Sequence, residues 1–165
     1  MKRLIFIRHA KAEKQISSIT DFERSLTRKG KVVANLMADR LKEMEEFDGI
    51  IISSPAFRAI ETALIFGKSL GYDTGKIVMS EILYPGTGTR GLQAILQETA
   101  NDADTVMLFG HNPSFSDLPG LLCKNGCDIM PKCGIISISF NIQTWSEIKP
   151  KTGKTEYCLK PEKAL

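Results

Sequence analysis

Residues 1–11 read MKRLIFIRHAK, and this segment is the strongest indication of the fold. The apolar run Leu4–Ile7 is short and uninterrupted, which is typical of a strand buried on both faces of a parallel sheet. The run ends abruptly on Arg8 and His9. Ligands of open α/β sheets bind beyond the carboxyl ends of the strands, and a guanidinium there favours an anion such as phosphate.

His9 permits two interpretations when it is considered alone. A neutral imidazole beside a bound anion can act as a nucleophile or a base. A histidine at a strand end is also commonly a structural residue that is held by hydrogen bonds. The remainder of the sequence has to decide between these two roles.

Strand-like and helix-like segments alternate along the chain. Thr27 is a suitable N-cap, Pro55 suits the first position of a helix, and Gly71 suits a helix stop. The predicted helices cover residues 27–46, 55–70 and 90–100, with a short one after 113 that breaks near Pro119 and Gly120. The predicted strands after the first cover residues 48–53, 76–79, 105–109, 134–140 and 155–159, with a loop around Pro85.

This alternation predicts parallel β-α-β units and hence an α/β fold, a three-layer α/β/α sandwich around a mostly parallel central sheet. At 165 residues the chain is expected to form a single domain over 1–165. The ends of the first, second and fourth strands then share one edge of the sheet. The polar residues at these ends are Arg8-His9, Ser53-Ser54-Pro55 with Arg58 one turn later, and Gly110-His111-Asn112-Pro113.

Charge and composition favour a cytoplasmic protein with an anionic substrate. The net charge is +3, but residues 1–31 hold nine basic against three acidic residues, a local net charge of +6. The sequence lacks the basic stripe with interleaved aromatic residues that would predict nucleic-acid binding. It also lacks an apolar run long enough for a membrane span or a signal segment. We therefore expect a cytoplasmic monomer without nucleic-acid or membrane partners.

The cysteines do not form a recognisable framework. A zinc site is conceivable at Cys123, Cys127 and Cys133, but their spacing matches no strong metal motif. Small buried residues are the simpler interpretation for these thiols. Neither a metal nor another cofactor is expected.

Three sequence blocks resemble the histidine phosphatase superfamily, also called the phosphoglycerate mutase-like family. The first is Arg8-His9-Ala10, the second is Ser-Ser-Pro-x-x-Arg-Ala-x-x-Thr-Ala from Ser53 to Ala63, and the third is Gly110-His111. Each block is weak alone, whereas three in this order are specific. The chain is most similar to the short phosphohistidine phosphatases of the SixA type, as the segments Arg24-Ser25-Leu26-Thr27 and Leu159-Lys160-Pro161 also indicate.

The resemblance implies a phosphoglycerate mutase-like fold and a chemistry that agrees with the residues. His9 would attack phosphorus and become a phosphohistidine, which water would hydrolyse. Arg8 and Arg58 would bind the phosphoryl oxygens, and His111, when protonated, would add a third cation. Nucleophilic His9 needs one unprotonated nitrogen, so a backbone carbonyl is expected to hold the other N–H.

The general acid is the open element of this interpretation. Glu81 stands where larger members of the superfamily carry a catalytic carboxylate, but an exposed loop position explains it equally well. Arg24 is a weaker candidate for closing the phosphate pocket, and a surface role is favoured for it.

The sequence therefore predicts a metal-independent phosphatase that acts on phosphohistidine in a signalling or phosphotransfer protein, or on another phosphomonoester. Two alternatives stay open. One is a small-molecule phosphomonoesterase or mutase of the same superfamily, and the other is a phosphate-binding module without catalytic activity.

Overall fold

The computed structural model describes residues 1–84 and 86–162, and the predicted loop position Pro85 lies outside them. The described residues form six strands and four helices. The strands are β1 (Lys2–Arg8), β2 (Ile50–Ser53), β3 (Val78–Met79), β4 (Thr105–Gly110), β5 (Ile135–Phe140) and β6 (Lys154–Leu159). The helices are α1 (Arg28–Met44), α2 (Phe57–Ser69), α3 (Thr89–Thr99) and α4 (Ser114–Leu122).

The strands form one sheet in the order β3-β2-β4-β1-β5-β6. The pairs β3–β2, β2–β4 and β4–β1 are parallel, whereas β1–β5 and β5–β6 are antiparallel. The predicted mostly parallel sheet is confirmed, and the ends of β1, β2 and β4 lie side by side at one edge. None of the helices in the described part of the chain is long and apolar enough to cross a membrane.

Two hydrophobic clusters cover the two faces of the sheet, which confirms the three-layer architecture. On one face, alternate residues of β1 such as Ile5 and Ile7 pack against α1 and α2. On the other face, Leu4 and Phe6 pack against α3 and α4. Because β1 is buried on both faces, its side chains read as a continuous apolar run.

Local signals account for most of the helix ends. The Thr27 hydroxyl accepts a hydrogen bond from the N–H of Gly30 at 2.9 Å, so Thr27 is the N-cap of α1 as predicted. Gly71 follows the C-cap of α2 with a φ of 71°, a left-handed conformation that glycine adopts without strain.

Two helix predictions were wrong in detail. The helix α2 begins at Phe57 rather than at Pro55, because the N–H of Ala56 donates to the Ser54 hydroxyl and the chain stays extended there. The helix α4 does not break at Pro119 but continues to Leu122. Pro119 is buried with the apolar side of α4, so packing offsets the backbone hydrogen bond that proline cannot donate.

Candidate active site

A cavity of about 220 Å³ lies at the edge of the sheet where β1 and β4 end. Its volume is below the roughly 300–1,000 Å³ of pockets for drug-sized ligands, so it suits a small ion. Its lining residues are Arg8, His9, Ala12, Arg24, Arg58, His111, Asn112 and Lys132. None of these described residues is acidic, and four of them are permanently cationic. The lining therefore favours a small anion.

A larger cavity of about 510 Å³ lies at the opposite edge of the sheet, beside Arg3 and Tyr157. Its lining combines Arg3 with the carboxylates of Glu45, Asp104 and Glu156. The Arg3 guanidinium is already paired with Glu45. This cavity is larger but lacks the concentrated positive charge of the first, so the smaller cavity is the candidate active site.

The structure brings His9 and His111 together, as predicted from the shared edge at which the first and fourth strands end. His9 follows β1 and His111 follows β4. The backbone N–H of His9 donates to the backbone carbonyl of Gly110 at 3.0 Å. Their ring centroids lie 5.2 Å apart, and the residues are 7% and 4% exposed. A side chain at position 110 would collide with the Phe115 ring, 2.5 Å from the Cβ position, so glycine is needed next to His111.

The His9 ring is held in the tautomer that a nucleophile requires. Its Nδ1 lies 2.7 Å from the Ala10 carbonyl oxygen. A carbonyl only accepts hydrogen bonds, so Nδ1 carries the proton and Nε2 keeps its lone pair. The expected backbone carbonyl is thus the one of the adjacent residue, Ala10.

Burial keeps the His9 imidazole neutral. Desolvation is the main reason that its pKa is lowered to about 3, against the opposing hydrogen bond to Ala10. Coulomb repulsion from the Arg58 and Arg8 guanidiniums, and from His111 when it is protonated, lowers the pKa of His9 further. At neutral pH the Nε2 lone pair is therefore available for attack on phosphorus.

His111 is also neutral in the free protein, so it does not add the third cation that a protonated His111 would supply. Burial lowers its pKa to about 4, and the nearby Arg58 guanidinium adds to this effect. Its Nε2 lies 2.8 Å from the Ser54 hydroxyl oxygen, which already accepts the N–H of Ala56 at 3.3 Å.

The Ser54 hydroxyl can donate its proton to His111 Nε2, and in that tautomer the imidazole proton is on Nδ1. That nitrogen is buried and has no hydrogen-bond partner in the described part of the protein. His111 lines the cavity, and in this tautomer its Nδ1–H has no acceptor within the described part of the protein.

The two predicted arginines are fixed by backbone and side-chain acceptors. Arg8 donates from one terminal nitrogen to the Met130 carbonyl at 3.1 Å. Arg58 is 5% exposed and donates to the carbonyl oxygen of Asp21 at 2.7 Å and to its carboxylate at 3.0 Å. The Nε atoms of both arginines are buried without a partner among the described residues.

The structure also explains Thr62, the threonine of the second sequence block. Its hydroxyl accepts the N–H of Ala10 at 3.1 Å and donates to the Arg58 carbonyl at 2.7 Å. Thr62 is fully buried. It therefore links the segment after His9 to the helix that carries Arg58.

Glu81 is not brought to the cavity. It begins a 3-10 turn, Glu81–Leu83, is exposed, and does not line the site. Its role as the general acid stays a prediction. Arg24, for which a surface role was favoured, instead lines the cavity.

Sequence reasoning missed Asp21, Lys132 and Asn112 as parts of the site. Asn112 stood in a quoted motif, and it donates to the Met130 carbonyl at 3.0 Å. Lys132 has no local sequence signal, because it reaches the cavity from the segment before β5. Among the described residues, no group of three or more His, Cys, Asp or Glu side chains is arranged to hold a metal ion.

Comparison with known proteins shows which family and fold the chain resembles. Residues 4–81 match the sequence model of the Histidine phosphatase superfamily (branch 1). This segment contains the first two sequence blocks and so confirms the resemblance predicted from them. An uncharacterised chloroplastic protein of Arabidopsis thaliana is 25% identical to the chain, over 99% of this chain and 80% of its own length.

Solved structures of SixA share the fold. A protein assigned as the phosphohistidine phosphatase SixA of Agrobacterium tumefaciens is 25% identical, with a TM-score of 0.76 over 98% of this chain and 99% of its own. The protein histidine phosphatase SixA in complex with tungstate is 23% identical, with a TM-score of 0.80 over 96% and 97% of the two chains. The predicted phosphoglycerate mutase-like fold is confirmed.

Proposed function

From the match to the histidine phosphatase superfamily, we propose that this chain is a phosphatase that hydrolyses phosphohistidine through a covalent intermediate on His9. The observation that carries the proposal is the state of His9. It is a neutral, buried imidazole whose Nε2 lone pair is free, in a cavity whose charged lining residues are all cationic. We propose that the activity belongs to one domain over residues 1–165.

Two displacements at phosphorus account for the reaction. In the first, His9 Nε2 bonds to phosphorus, the bond to the substrate nitrogen breaks, and that nitrogen takes up a proton. In the second, water attacks phosphorus, the bond to Nε2 breaks, and phosphate leaves. Arg8, Arg58 and the neutral His111 would donate hydrogen bonds to the oxygens as charge develops.

Oxyanion binding by a related fold supports the assignment of the cavity. SixA, which shares this fold, has been solved in complex with tungstate, a tetrahedral oxyanion like phosphate. The buried Nε atoms of Arg8 and Arg58 and Nδ1 of His111 would supply donors to such an ion.

We propose a phosphorylated signalling or phosphotransfer protein as the partner of the cytoplasmic enzyme. A leaving imidazole needs less acid assistance than an alkoxide, which agrees with a cavity that no carboxylate lines among the described residues. The chain is short and its cavity includes the exposed Lys132, so a phosphoryl group on a protein surface can be presented to it. All four cysteines are free thiols, as expected in a reducing compartment.

A comparison of substrates tests the proposal. We expect kcat/KM for a phosphorylated histidine-containing domain to exceed that for sugar phosphates at least about tenfold, which corresponds to roughly 1.4 kcal/mol. A preference for small esters would favour the small-molecule phosphomonoesterase or mutase. Phosphate binding without turnover of either substrate would favour the non-catalytic binding module.

A further inference from the structure

Asp21, which belongs to none of the three sequence blocks, contacts two arginines of the candidate active site. It begins the 3-10 turn Asp21–Glu23, which lies between β1 and α1. Its carboxylate accepts hydrogen bonds from Arg58 at 3.0 Å and from Arg24 Nε at 3.0 Å, and a terminal nitrogen of Arg24 lies 2.8 Å from it as an ion pair. The Tyr84 hydroxyl also donates to it, at 2.9 Å.

The turn that carries Asp21 is itself held in place. The Thr20 and Glu23 side chains form a capping box across it. Phe22 packs edge-on against Phe57 and Tyr84, with ring centroids 5.8 Å and 5.4 Å apart. The Asp21 carboxylate is therefore a fixed acceptor.

The carboxylate is ionised whenever the enzyme is folded near neutral pH. Burial opposes ionisation, but hydrogen bonds from Tyr84 and Arg24 and the adjacent Arg58 guanidinium lower the pKa of Asp21 to about 2. A permanent negative charge beside an anion site weakens anion binding by simple Coulomb repulsion. Asp21 must therefore contribute something else to the site that offsets this loss of anion affinity.

We infer that Asp21 is a positioning residue that holds the Arg58 and Arg24 guanidiniums in the orientation required for phosphoryl transfer. This inference rests on the proposed function. The two terminal nitrogens of Arg58 donate to Asp21, while its buried Nε has no partner among the described residues. A guanidinium fixed in this way loses less rotamer freedom when the phosphoryl group binds, so its donors are preorganised.

The positioning role and a simple counterion role predict opposite results for Asp21→Asn. A counterion that is removed leaves a more positive site, so inorganic phosphate should bind more tightly. If Asp21 is a positioning residue, Asp21→Asn weakens the hold on the Arg24 and Arg58 guanidiniums, and Arg58 keeps only its bond to the Asp21 backbone carbonyl at full strength. Phosphate should then bind more weakly and kcat should fall. We expect kcat to fall about 10- to 100-fold, as is typical when catalytic donors are misplaced.

Glu13→Gln is the matched control. It also removes one negative charge before α1, and the Glu13 side chain is exposed and has no hydrogen bond or ion pair in the described structure. The Glu13 backbone carbonyl, which accepts from Arg24 at 2.9 Å, is kept in this variant. We expect kcat and the phosphate Kd of this variant to stay within about twofold of the parent, as for surface substitutions in general.

Tyr84→Phe tests the same contact if Asp21→Asn does not fold. It removes only the hydroxyl that donates to Asp21 and leaves the ring beside His111. We expect kcat to fall about two- to fivefold and phosphate to bind more weakly, because one of the hydrogen bonds that fix Asp21 is lost. Unchanged values would contradict the inference.

The experiment is to measure the Kd of inorganic phosphate by calorimetry and kcat with a phosphohistidine substrate, at equal folded fractions. Weaker phosphate binding and lower kcat in Asp21→Asn, with an unaffected Glu13→Gln, would support the inference. Tighter or unchanged phosphate binding with unchanged kcat would overturn it. If the parent binds phosphate without turnover, the proposed function fails, but the Kd comparison still tests Asp21.

Discussion

The imidazole rings of His9 and His111 lie 5.2 Å apart, and burial holds both of them neutral. The consequence differs for the two rings. The His9 Nδ1 proton is used by the Ala10 carbonyl, so the free atom is the Nε2 lone pair. The His111 Nε2 is hydrogen-bonded to the Ser54 hydroxyl, so the free atom is the buried Nδ1, which is a donor in the tautomer that accepts from Ser54. One ring is thus prepared to attack phosphorus and the other to donate to oxygen.

Replacement of Arg58 tests the oxyanion site. We expect Arg58→Ala to weaken phosphate binding by about 10- to 150-fold, because hydrogen bonds to charged groups contribute roughly 1.5–3 kcal/mol. Arg58→Lys keeps the charge but loses the planar fork, so it should restore only part of the affinity. Calorimetric titration with phosphate measures both. Full affinity in Arg58→Lys would show that charge alone suffices.

Ser54→Ala tests how the His111 tautomer is set. Without the hydroxyl, His111 Nε2 loses its hydrogen-bond partner and the ring is free to move its proton from Nδ1. We expect kcat to fall about tenfold and the free energy of unfolding to fall by about 2 kcal/mol, since the hydroxyl makes two hydrogen bonds, with His111 and Ala56, that contribute roughly 1 kcal/mol each. Ser54→Thr keeps the hydroxyl and is the control. The NMR signals of the His111 nitrogens report the tautomer, and an unchanged tautomer in Ser54→Ala would contradict this role.

The depressed pKa values of the two histidines predict that the fold is less stable in acid. The folded pKa values are about 3 for His9 and about 4 for His111, against an ordinary value of 6.5. Between about pH 4 and 6.5 the unfolded chain binds protons that the folded chain does not. The free energy of unfolding therefore falls as the pH is lowered below 6.5, by up to about 1.4 kcal/mol per pH unit for each histidine.

Urea unfolding at pH 7, 6 and 5 measures this slope. The chain has only these two histidines, and Asp21, with a pKa of about 2, titrates below this range. His111→Asn should reduce the slope because one of the two groups is removed. Equal stability at pH 7 and pH 5 in the parent would mean that the rings are not held neutral.

Glu81→Gln tests the predicted general acid. Because Glu81 is exposed and does not line the cavity, we expect turnover of phosphohistidine to change less than about twofold. The same variant should be assayed with an alkyl phosphate, whose leaving oxygen requires a proton. A loss of more than about tenfold on the alkyl ester alone would assign the acid to Glu81 after all.

Local patterns were sufficient to predict the elements and the edge of the sheet that carries the site. The buried run of β1, the N-cap Thr27 and the stop at Gly71 all depend on neighbouring residues in the chain. The convergence of Arg8, His9, Arg58 and His111 followed from one topological rule, that parallel strands end at a common edge.

Tertiary contacts determine the features that the sequence did not predict, namely the start of α2 and the ion pairs of Asp21. The start of α2 is displaced from Pro55 because Ser54 must reach both Ala56 and His111. Asp21 joins Arg58 across segments that no periodicity connects, although its spacing of three residues from Arg24 is typical of a local ion pair. Side-chain partners of this kind depend on the packed fold and not on a short sequence motif.

Trapping the phosphoenzyme tests the central claim most directly. The protein is mixed briefly with a radiolabelled phosphohistidine donor, quenched in alkali and digested, and the labelled peptide is identified. We predict an acid-labile label on His9 that disappears as phosphate is released, and no label in His9→Ala, which should still bind phosphate. A label on another residue, or undiminished hydrolysis by His9→Ala, would contradict the account.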